Sequence, residues 1–184
     1  TAEKAVDIGS ALVREEAANA AIATGGVIRV VNSCKVEGGQ ITRIRFPKQF
    51  LPRFQVLEYT RTFLMARMAW SKLDGLLLVS GALGMFDKEI CIEAGGYYSK
   101  TVGEDMEIVV RMRRFMVENN RKYNVAYVPD PLCWTEAPYT LNILGRQRNR
   151  WTRGLIDTLT IHKKIFMNPK YGTFGIIGYS YWFF

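Results

Sequence analysis

Segments with apolar residues at helical spacing alternate along this chain with short runs rich in β-branched residues. The clearest helix is predicted over residues 103–120, GEDMEIVVRMRRFMVENN, where two acidic residues open the pattern and three arginines follow. That order of charges suits the helix dipole. The 184 residues are enough for one domain with a sizeable core. Together these features predict a mixed α/β domain.

The remaining elements follow from apolar periodicity and from the glycines and prolines between segments. Further helices are predicted over residues 2–23, 53–73, 87–94 (capped by Asp87) and 139–165, the last with possible breaks at Gly145 and Gly154. Strands are predicted over residues 26–33, 40–46, 75–81, 82–86 and 124–131, with 132–138 extended. The first two strands are expected to form a hairpin through the turn at 36–39.

The cysteines and the histidine exclude several kinds of site. Cys34, Cys91 and Cys133 stand far apart and form no C-x-x-C pair, so neither a disulfide framework nor a cysteine zinc site is expected. Reduced, buried cysteines agree with a cytoplasmic location. The single histidine, His162, argues against a Ser/His triad and against most histidine metal sites. We assign His162 no role.

The basic charge is concentrated near the end of the chain. The formal net charge is +8, and residues 143–170 hold seven basic residues against Asp157 alone. The following residues, 171–184, carry no charge and are rich in aromatic side chains. Such a boundary is typical of the cytoplasmic face of a membrane. A spanning helix needs roughly 20 apolar residues, so the run fits the first turn of one.

Two other interpretations of this end of the chain remain open. The alternative for the aromatic run is a surface-docked or buried tail, and the alternative use of a basic patch is nucleic-acid binding. No recognition-helix, RNA-binding or zinc-finger pattern is present in the sequence, so no nucleic-acid partner is expected.

Two carboxylates, Glu104 and Asp105, follow Gly103 at the start of the clearest helix. A carboxylate there accepts backbone N–H bonds, stays ionised and is held rigidly at a loop–helix junction. Such junctions often carry functional groups. The alternative is ordinary helix capping.

An amide, a cation and an aromatic ring share one face of the last predicted helix. Gln147, Arg150 and Trp151 are three and four residues apart. Trp stacks on a sugar face, Arg pairs with phosphate oxygens and Gln binds hydroxyls, which suits a sugar or a diphosphate. The alternative is a basic helix at a membrane surface, with Trp151 as the interfacial anchor.

Ser80 and Gly81 end a buried apolar run, where small residues let a ligand approach the backbone. The alternative is a tight turn.

Taken in order, these features resemble the family 2 glycosyltransferases, the membrane-embedded group that includes cellulose, chitin, hyaluronan and poly-N-acetylglucosamine synthases. The matching motifs are S-G-A (80–82), G-G-Y (95–97), G-E-D (103–105), V-P-D-P (128–131), T-E-A-P (135–138) and Q-x-x-R-W (147–151). The resemblance implies a partial GT-A fold with a mixed sheet, over residues 1–168. Residues 169–184 would be an interfacial segment and the start of a transmembrane helix.

The resemblance also implies roles for individual residues. Asp105 would be the general base of an inverting transfer from a nucleotide-sugar, in first guess a UDP-sugar such as UDP-N-acetylglucosamine or UDP-glucose, to a growing polysaccharide or other acceptor. Glu104 would position the acceptor, and Ser80 and Gly81 would line the acceptor pocket. Gln147, Arg150 and Trp151 would lie beside the donor diphosphate and the acceptor end, and Glu136 is a positioning candidate. Membrane lipid would be a further partner.

One departure from the family pattern limits these expectations. The sequence contains no Asp-x-Asp metal motif, and the family's nucleotide-binding half is missing. Asp105 and Glu107 stand two apart, but on a helix their side chains point in different directions. Mg²⁺ or Mn²⁺ is therefore expected only for the complete enzyme, and this chain alone is expected to be inactive. The alternative from another class is a non-catalytic membrane-surface module that binds anionic lipid through its basic helix.

Overall fold

The structure, a computed structural model, describes residues 21–184. Its strands are β1 (Ala21–Val30), β2 (Lys35–Glu37), β3 (Gln40–Arg43), β4 (Gly84–Phe86) and β5 (Asn124–Thr135). Its α-helices are α1 (Phe50–Tyr59), α2 (Arg67–Lys72), α3 (Lys88–Glu93), α4 (Glu104–Glu118) and α5 (Leu141–Ile161). A π-helical segment (Thr60–Ala66) joins α1 to α2. After α5 come two 3₁₀ turns (Lys163–Ile165, Pro169–Tyr171), a second π-helical segment (Phe174–Tyr179) and a last 3₁₀ turn (Ser180–Phe183).

The main sheet is mixed, as the sequence predicts. Its order is β4-β1-β5, with β1 antiparallel to β4 and parallel to β5. Gly25 of β1 lies opposite Gly84 on one side and Tyr127 on the other. A Cβ atom on Gly25 would stand 2.7 Å from Cβ of Val79. Glycine therefore allows the buried segment that leads to Ser80 to cross close to the sheet.

Helix α4 confirms the clearest helix prediction and supplies much of the core. Its inward face, with Ile108, Val109, Met112 and Met116, is fully buried against the sheet. Full burial of each such side chain contributes roughly 1.5–3 kcal/mol. The start of α4 is thereby fixed relative to the strands.

The predicted hairpin was wrong in its pairing. Residues 40–46 do not pair with residues 26–33; β3 pairs instead with β2, around Gly38 and Gly39, which both have positive φ. The reason is burial: β1 is apolar on both faces and takes the centre of the sheet, whereas β2 and β3 are largely exposed. Most of the predicted helix at 2–23 lies outside the described residues, but its last three positions open β1.

Two further predictions need correction. The strand predicted over residues 75–81 was wrong. Residues 75–80 are largely buried, as expected, but only β4 from this part of the chain joins the sheet. Instead, Leu76 and Val79 belong to one core cluster and Leu77 to a second one. Helix α5 runs through Gly145 and Gly154 without a break. The single helix predicted over residues 53–73 is present as α1, the π-helical segment and α2. The predictions for α3, α4 and β5 are confirmed apart from their ends.

The aromatic run at residues 171–184 packs against the rest of the domain that the structure describes. Phe174 and Tyr179 are fully buried, and the Tyr179 hydroxyl donates to the carbonyl of Leu159 at 3.0 Å. The ring of Tyr181 lies 5.1 Å from that of Trp70. This packing agrees with the buried-tail interpretation. Across residues 21–184, no helix is long and apolar enough to cross a membrane. A transmembrane helix starting in this run stays a prediction.

Candidate functional site

The Asp105 carboxylate joins the start of α4 to the turn at Ser80 and Gly81. The backbone N–H of Gly81 donates to Asp105 Oδ2 at 2.8 Å, and the N–H of Met106 donates to Oδ1 at 2.9 Å. The N-cap of α4 is Gly103, which makes no side-chain capping bond. Asp105 therefore does more than cap its own helix: it connects two of the predicted motifs directly.

The turn that Asp105 holds is strained and tightly fitted. Ser80 is buried and has φ of +90°, which is rare for a residue with a side chain. A Cβ atom on Gly81 would stand 3.3 Å from Asp105 Oδ2. Because residue 81 has no side chain, the Asp105 carboxylate has room to lie at this position. Strain of this kind collects at functional sites.

Tyr97 of the G-G-Y motif lies near the two carboxylates at the start of α4. Glu104 is exposed at the first position of the helix, and Asp105 is half-buried. Burial raises the pKa of Tyr97, and the charges of Cys91, Glu104 and Asp105 act in the same direction. The Tyr97 ring makes an edge contact with Phe86 of β4, with centroids 6.2 Å apart. The G-G-Y motif therefore lies close to both acidic residues.

Arg67 is a cation near this site that the sequence prediction missed. Its Cζ lies 4.1 Å from the centre of the Phe63 ring, and its Nη1 is buried without a hydrogen-bond partner among residues 21–184. Burial lowers the pKa of Arg67, whereas Tyr127 and the negative charge of Asp105 raise it. The available signal was an arginine within the apolar stretch LMARMAW of the predicted helix 53–73.

The Q-x-x-R-W residues lie along α5 in different surroundings. Arg150 is exposed. Trp151 is 37% exposed, and its ring is covered by Arg148, whose Cζ lies 4.5 Å from the ring centre. Arg148 in turn forms an ion pair with Glu58 of α1. The predicted face is therefore partly occupied by Arg148, which the sequence argument did not include.

Gln147 is half-buried beside Tyr59. Burial raises the pKa of Tyr59, whereas Arg148 and the Gln147 side chain lower it. Gln147 Oε1 is enclosed, and no group within the described part of the chain donates to it. A buried acceptor without a donor calls for an explanation, and a bound ligand or water is the usual one.

A glycine–glycine contact brings α5 against the start of α4. A Cβ atom on Gly154 would stand 2.6 Å from Cα of Gly103. Nearby, Thr101 Oγ1 donates to Asp157 Oδ2 at 3.1 Å. Gly154 follows Arg150 by one turn, about 6 Å along the helix axis. The Q-x-x-R-W residues therefore lie on the helix adjacent to Asp105, although the structure gives no hydrogen bond from them to that carboxylate among the described residues.

A buried ion network fixes the next turn of α4. Glu107 Oε1 lies 2.9 Å from His162 Nε2 and 2.6 Å from Arg111 Nη2. Arg114 lies 3.0 Å from His162 Nδ1. A guanidinium can only donate, so Nδ1 accepts and the ring proton is on Nε2, facing Glu107. His162, to which no role was assigned, therefore ties the end of α5 to α4.

Burial and hydrogen bonds shift the pKa values of both Glu107 and His162. Burial acts to raise the pKa of Glu107, but hydrogen bonds from His162 and Arg111 outweigh it and lower that pKa. Burial lowers the pKa of His162, although the hydrogen bond to Glu107 raises it. The side chains of Asp105 and Glu107 point in different directions, as helical geometry predicts, because Glu107 is directed into this network and Asp105 towards Gly81. Within residues 21–184, no cluster of three or more His, Cys, Asp or Glu side chains could hold a metal.

Comparison with known proteins assigns the chain to a family. A sequence model of the family described as "Glycosyl transferase family group 2" matches residues 26–183. Poly-beta-1,6-N-acetyl-D-glucosamine synthase of Staphylococcus epidermidis is 27% identical over 112 residues, which cover 61% of this chain and 26% of that protein. The enzyme of the same name from Staphylococcus aureus (strain COL) is 26% identical over the same shares of both chains.

The match favours an enzyme over the non-catalytic lipid-binding module. The mixed α/β architecture with a mixed sheet fits the GT-A-like fold of such enzymes. The matched residues span only 26% of the curated relatives. The chain belongs to glycosyl transferase family group 2.

Proposed function

We propose that this chain is the acceptor-side part of an inverting glycosyltransferase that extends a polysaccharide from a UDP-sugar, with Asp105 as general base. The observation that carries the proposal is the Asp105 carboxylate, half-buried and held by the Gly81 N–H next to a strained turn. The relatives are poly-beta-1,6-N-acetyl-D-glucosamine synthases, which favours UDP-N-acetylglucosamine as donor and a polymer as product.

In this proposal Asp105 accepts the proton of an acceptor hydroxyl while the hydroxyl oxygen attacks the anomeric carbon. The bond from that carbon to the diphosphate breaks on the opposite side, so the configuration inverts. A sugar hydroxyl is a poor nucleophile, and a positioned base is worth roughly 10²–10⁴-fold. The Gly81 N–H occupies one side of Oδ2 and limits the directions from which a hydroxyl can approach.

The other proposed residues bind and orient the two sugars. Glu104, exposed one residue before Asp105, would hold the acceptor, and Ser80 and Gly81 would line its pocket. On α5, Trp151 would stack on a sugar face and Arg150 would pair with diphosphate oxygens. Gln147 Oε1, enclosed without a donor among the described residues, would accept from a sugar hydroxyl.

The described residues do not fit a divalent metal, so no step of the mechanism passes through one. Mg²⁺ or Mn²⁺ remains an expectation for the complete enzyme. The same proposal assigns residues 1–168 to the glycosyltransferase domain and residues 169–184 to an interfacial segment and the start of a transmembrane helix. It also places the protein at the cytoplasmic face of a membrane. The basic segment 143–170 supports that location through attraction to anionic lipid.

The test uses the complete parent protein in membranes. UDP release is measured across a panel of UDP-sugars with Mg²⁺ or Mn²⁺, for the wild type, Asp105→Asn and the control Glu89→Gln, which makes the same chemical change at an exposed position of α3. We expect release with one donor, lost in Asp105→Asn and retained in the control. Folded protein that releases UDP from no donor would overturn the proposal.

A further inference from the structure

Helix α1 has one buried face and, opposite to it, an exposed apolar face. Its inner face is buried through Pro52, Gln55 and Tyr59. The opposite face carries Phe50, Phe54 and Leu57, which are 80%, 55% and 62% exposed. The spacing of these three, i, i+4 and i+7, places them in one row along the helix. Nothing in residues 21–184 covers this row.

The preceding loop extends the row. Ile44 and Phe46 are 64% and 53% exposed. Arg53 of α1 holds the loop, since its Nε donates to the carbonyl of Pro47 at 3.3 Å and its Cζ lies 5.5 Å from the Phe46 ring centre. We call the five exposed side chains the outer apolar row, and its members are Ile44, Phe46, Phe50, Phe54 and Leu57. Large exposed apolar surface is typical of interaction sites.

Basic residues flank the outer apolar row. Segment 35–61 holds six basic residues and two acidic ones, Glu37 and Glu58. Both acids are engaged in ion pairs, Glu37 with Lys35 and Glu58 with Arg148. Of the other basic residues of segment 35–61, all exposed and without an ion pair within the described residues, Arg53 bonds the carbonyl of Pro47. The remaining four are Arg43, Arg45, Lys48 and Arg61.

We propose that the outer apolar row and its basic flank form a docking surface for an anionic lipid bilayer, separate from the basic segment 143–170. An amphipathic helix with Phe and Leu on one face and Lys or Arg beside it lies in the headgroup region, with its apolar face about 5–10 Å deep. Each basic residue near such a surface contributes about 1 kcal/mol of attraction. Long basic side chains can reach the headgroups while their stems cover apolar surface.

The chemistry of the surface favours lipid over other occupants. The core of a protein–protein interface is depleted in charged residues, whereas here cations alternate with the apolar side chains. Ile44 and Leu57 offer no ring for stacking on bases, which argues against single-stranded nucleic acid. The inference deepens the membrane location proposed above and rests on it, but it does not depend on the transfer reaction.

The test measures lipid contact in the complete parent protein, with Cys34, Cys91 and Cys133 replaced by serine. An environment-sensitive fluorophore is attached at Phe54→Cys or, as control, at Ile92→Cys, an exposed apolar position of α3 (65% exposed). The protein is reconstituted in nanodiscs of phosphatidylcholine, with or without phosphatidylglycerol, that carry spin-labelled lipid as quencher. UDP release from a UDP-sugar, or thermal unfolding, confirms that both labelled variants are folded.

We expect quenching at position 54 to be several-fold stronger than at position 92, and to increase with phosphatidylglycerol. Replacing Arg43, Arg45 and Lys48 by glutamine should remove that increase. The inference would be overturned if the emission of the fluorophore at position 54 showed that it is exposed to water. It would also be overturned if the fluorophore were shielded from water but not quenched by the spin-labelled lipid. The shielded result would identify protein, either another part of the parent or a second copy, as the occupant. Failure to reconstitute would overturn the membrane location as well.

Discussion

Asp105 and Glu107 stand two residues apart on α4, yet their surroundings are opposite. Asp105 is half-buried and, among residues 21–184, accepts from the backbone N–H groups of Gly81 and Met106 alone. Glu107 is completely buried and accepts from His162 and Arg111 side chains. The helix turns one carboxylate towards the Ser80–Gly81 turn and the other into the interior. The comparison teaches that position on a helix, more than residue type, decides which acid can take part in chemistry.

Removing the buried carboxylate should have the largest effect on stability. Glu107→Ala leaves Nε2–H of the buried His162 and the Arg111 guanidinium without their acceptor. Loss of one partner from a buried ion pair costs about 3–5 kcal/mol. We expect a decrease of that size in the free energy of unfolding, measured by urea denaturation. Glu104→Ala, an exposed acid on the same helix, should change it by less than about 0.5 kcal/mol. Equal effects would contradict the comparison.

A methyl group at Gly154 should separate the two halves of the site. Its Cβ would stand 2.6 Å from Cα of Gly103, so α4 and α5 must move apart. Overpacking of this kind costs about 1–3 kcal/mol. Gly145→Ala is the matched control on α5, since nothing lies within 4 Å of its Cβ. Thermal unfolding should show Gly154→Ala less stable and Gly145→Ala unchanged or more stable. A neutral Gly154→Ala would mean that the helices are not held at this contact.

The buried network should make stability depend on pH. Because burial lowers the pKa of His162 below its ordinary value of 6.5, the unfolded chain binds a proton that the folded chain does not. The stability that the buried, neutral His162 contributes is therefore complete at pH values well above 6.5 and decreases as the pH falls below 6.5. Unfolding measured from pH 8 to 5.5 should show this decrease.

His162→Gln is the matched variant, because its amide can still donate to Glu107. It should be less stable than the wild type but should lose the decrease in this range. A retained decrease would assign the proton uptake to another group.

The smallest expected effect concerns the position of Asp105. In Gly81→Ala the added Cβ would stand 3.3 Å from Oδ2, so the carboxylate must shift by a few tenths of an ångström. Misplacement of about 1 Å can cost 10²-fold in rate, and we expect a decrease in kcat of about three- to fivefold with little loss of stability. The rate of UDP release checks this. An unchanged rate would show that the fit at Gly81 does not position the base.

The sequence predicted the helices and the site motifs better than the strand pairing. The periodicity and capping of α3, α4 and α5 are local properties, and they identified these helices directly. Pairing of β1 with β4 and β5 depends on which strand is apolar on both faces, and residues far apart in the chain decide it. The contact of Asp105 with Gly81 agrees with the grouping of G-E-D and S-G-A, although the roles of these residues stay predictions.

Arg67 and His162 could not have been assigned from sequence in the same way. Arg67 looked like part of an apolar helix, and only the fold places its guanidinium near Asp105. His162 looked like one residue of a basic surface, yet it is buried against Glu107, 55 positions away in the chain. Long-range burial of a charged group leaves little trace in local periodicity.

The most direct test of the account compares the two carboxylates in one experiment. UDP release is measured for the complete parent with Asp105→Asn and with Glu107→Gln, each corrected for the folded fraction. We predict that Asp105→Asn lowers the rate by roughly 10²–10⁴-fold without a large change in unfolding. Glu107→Gln should unfold more readily but keep its rate per folded molecule within a few-fold. Full activity in Asp105→Asn, or equal loss of rate in both variants, would contradict the account.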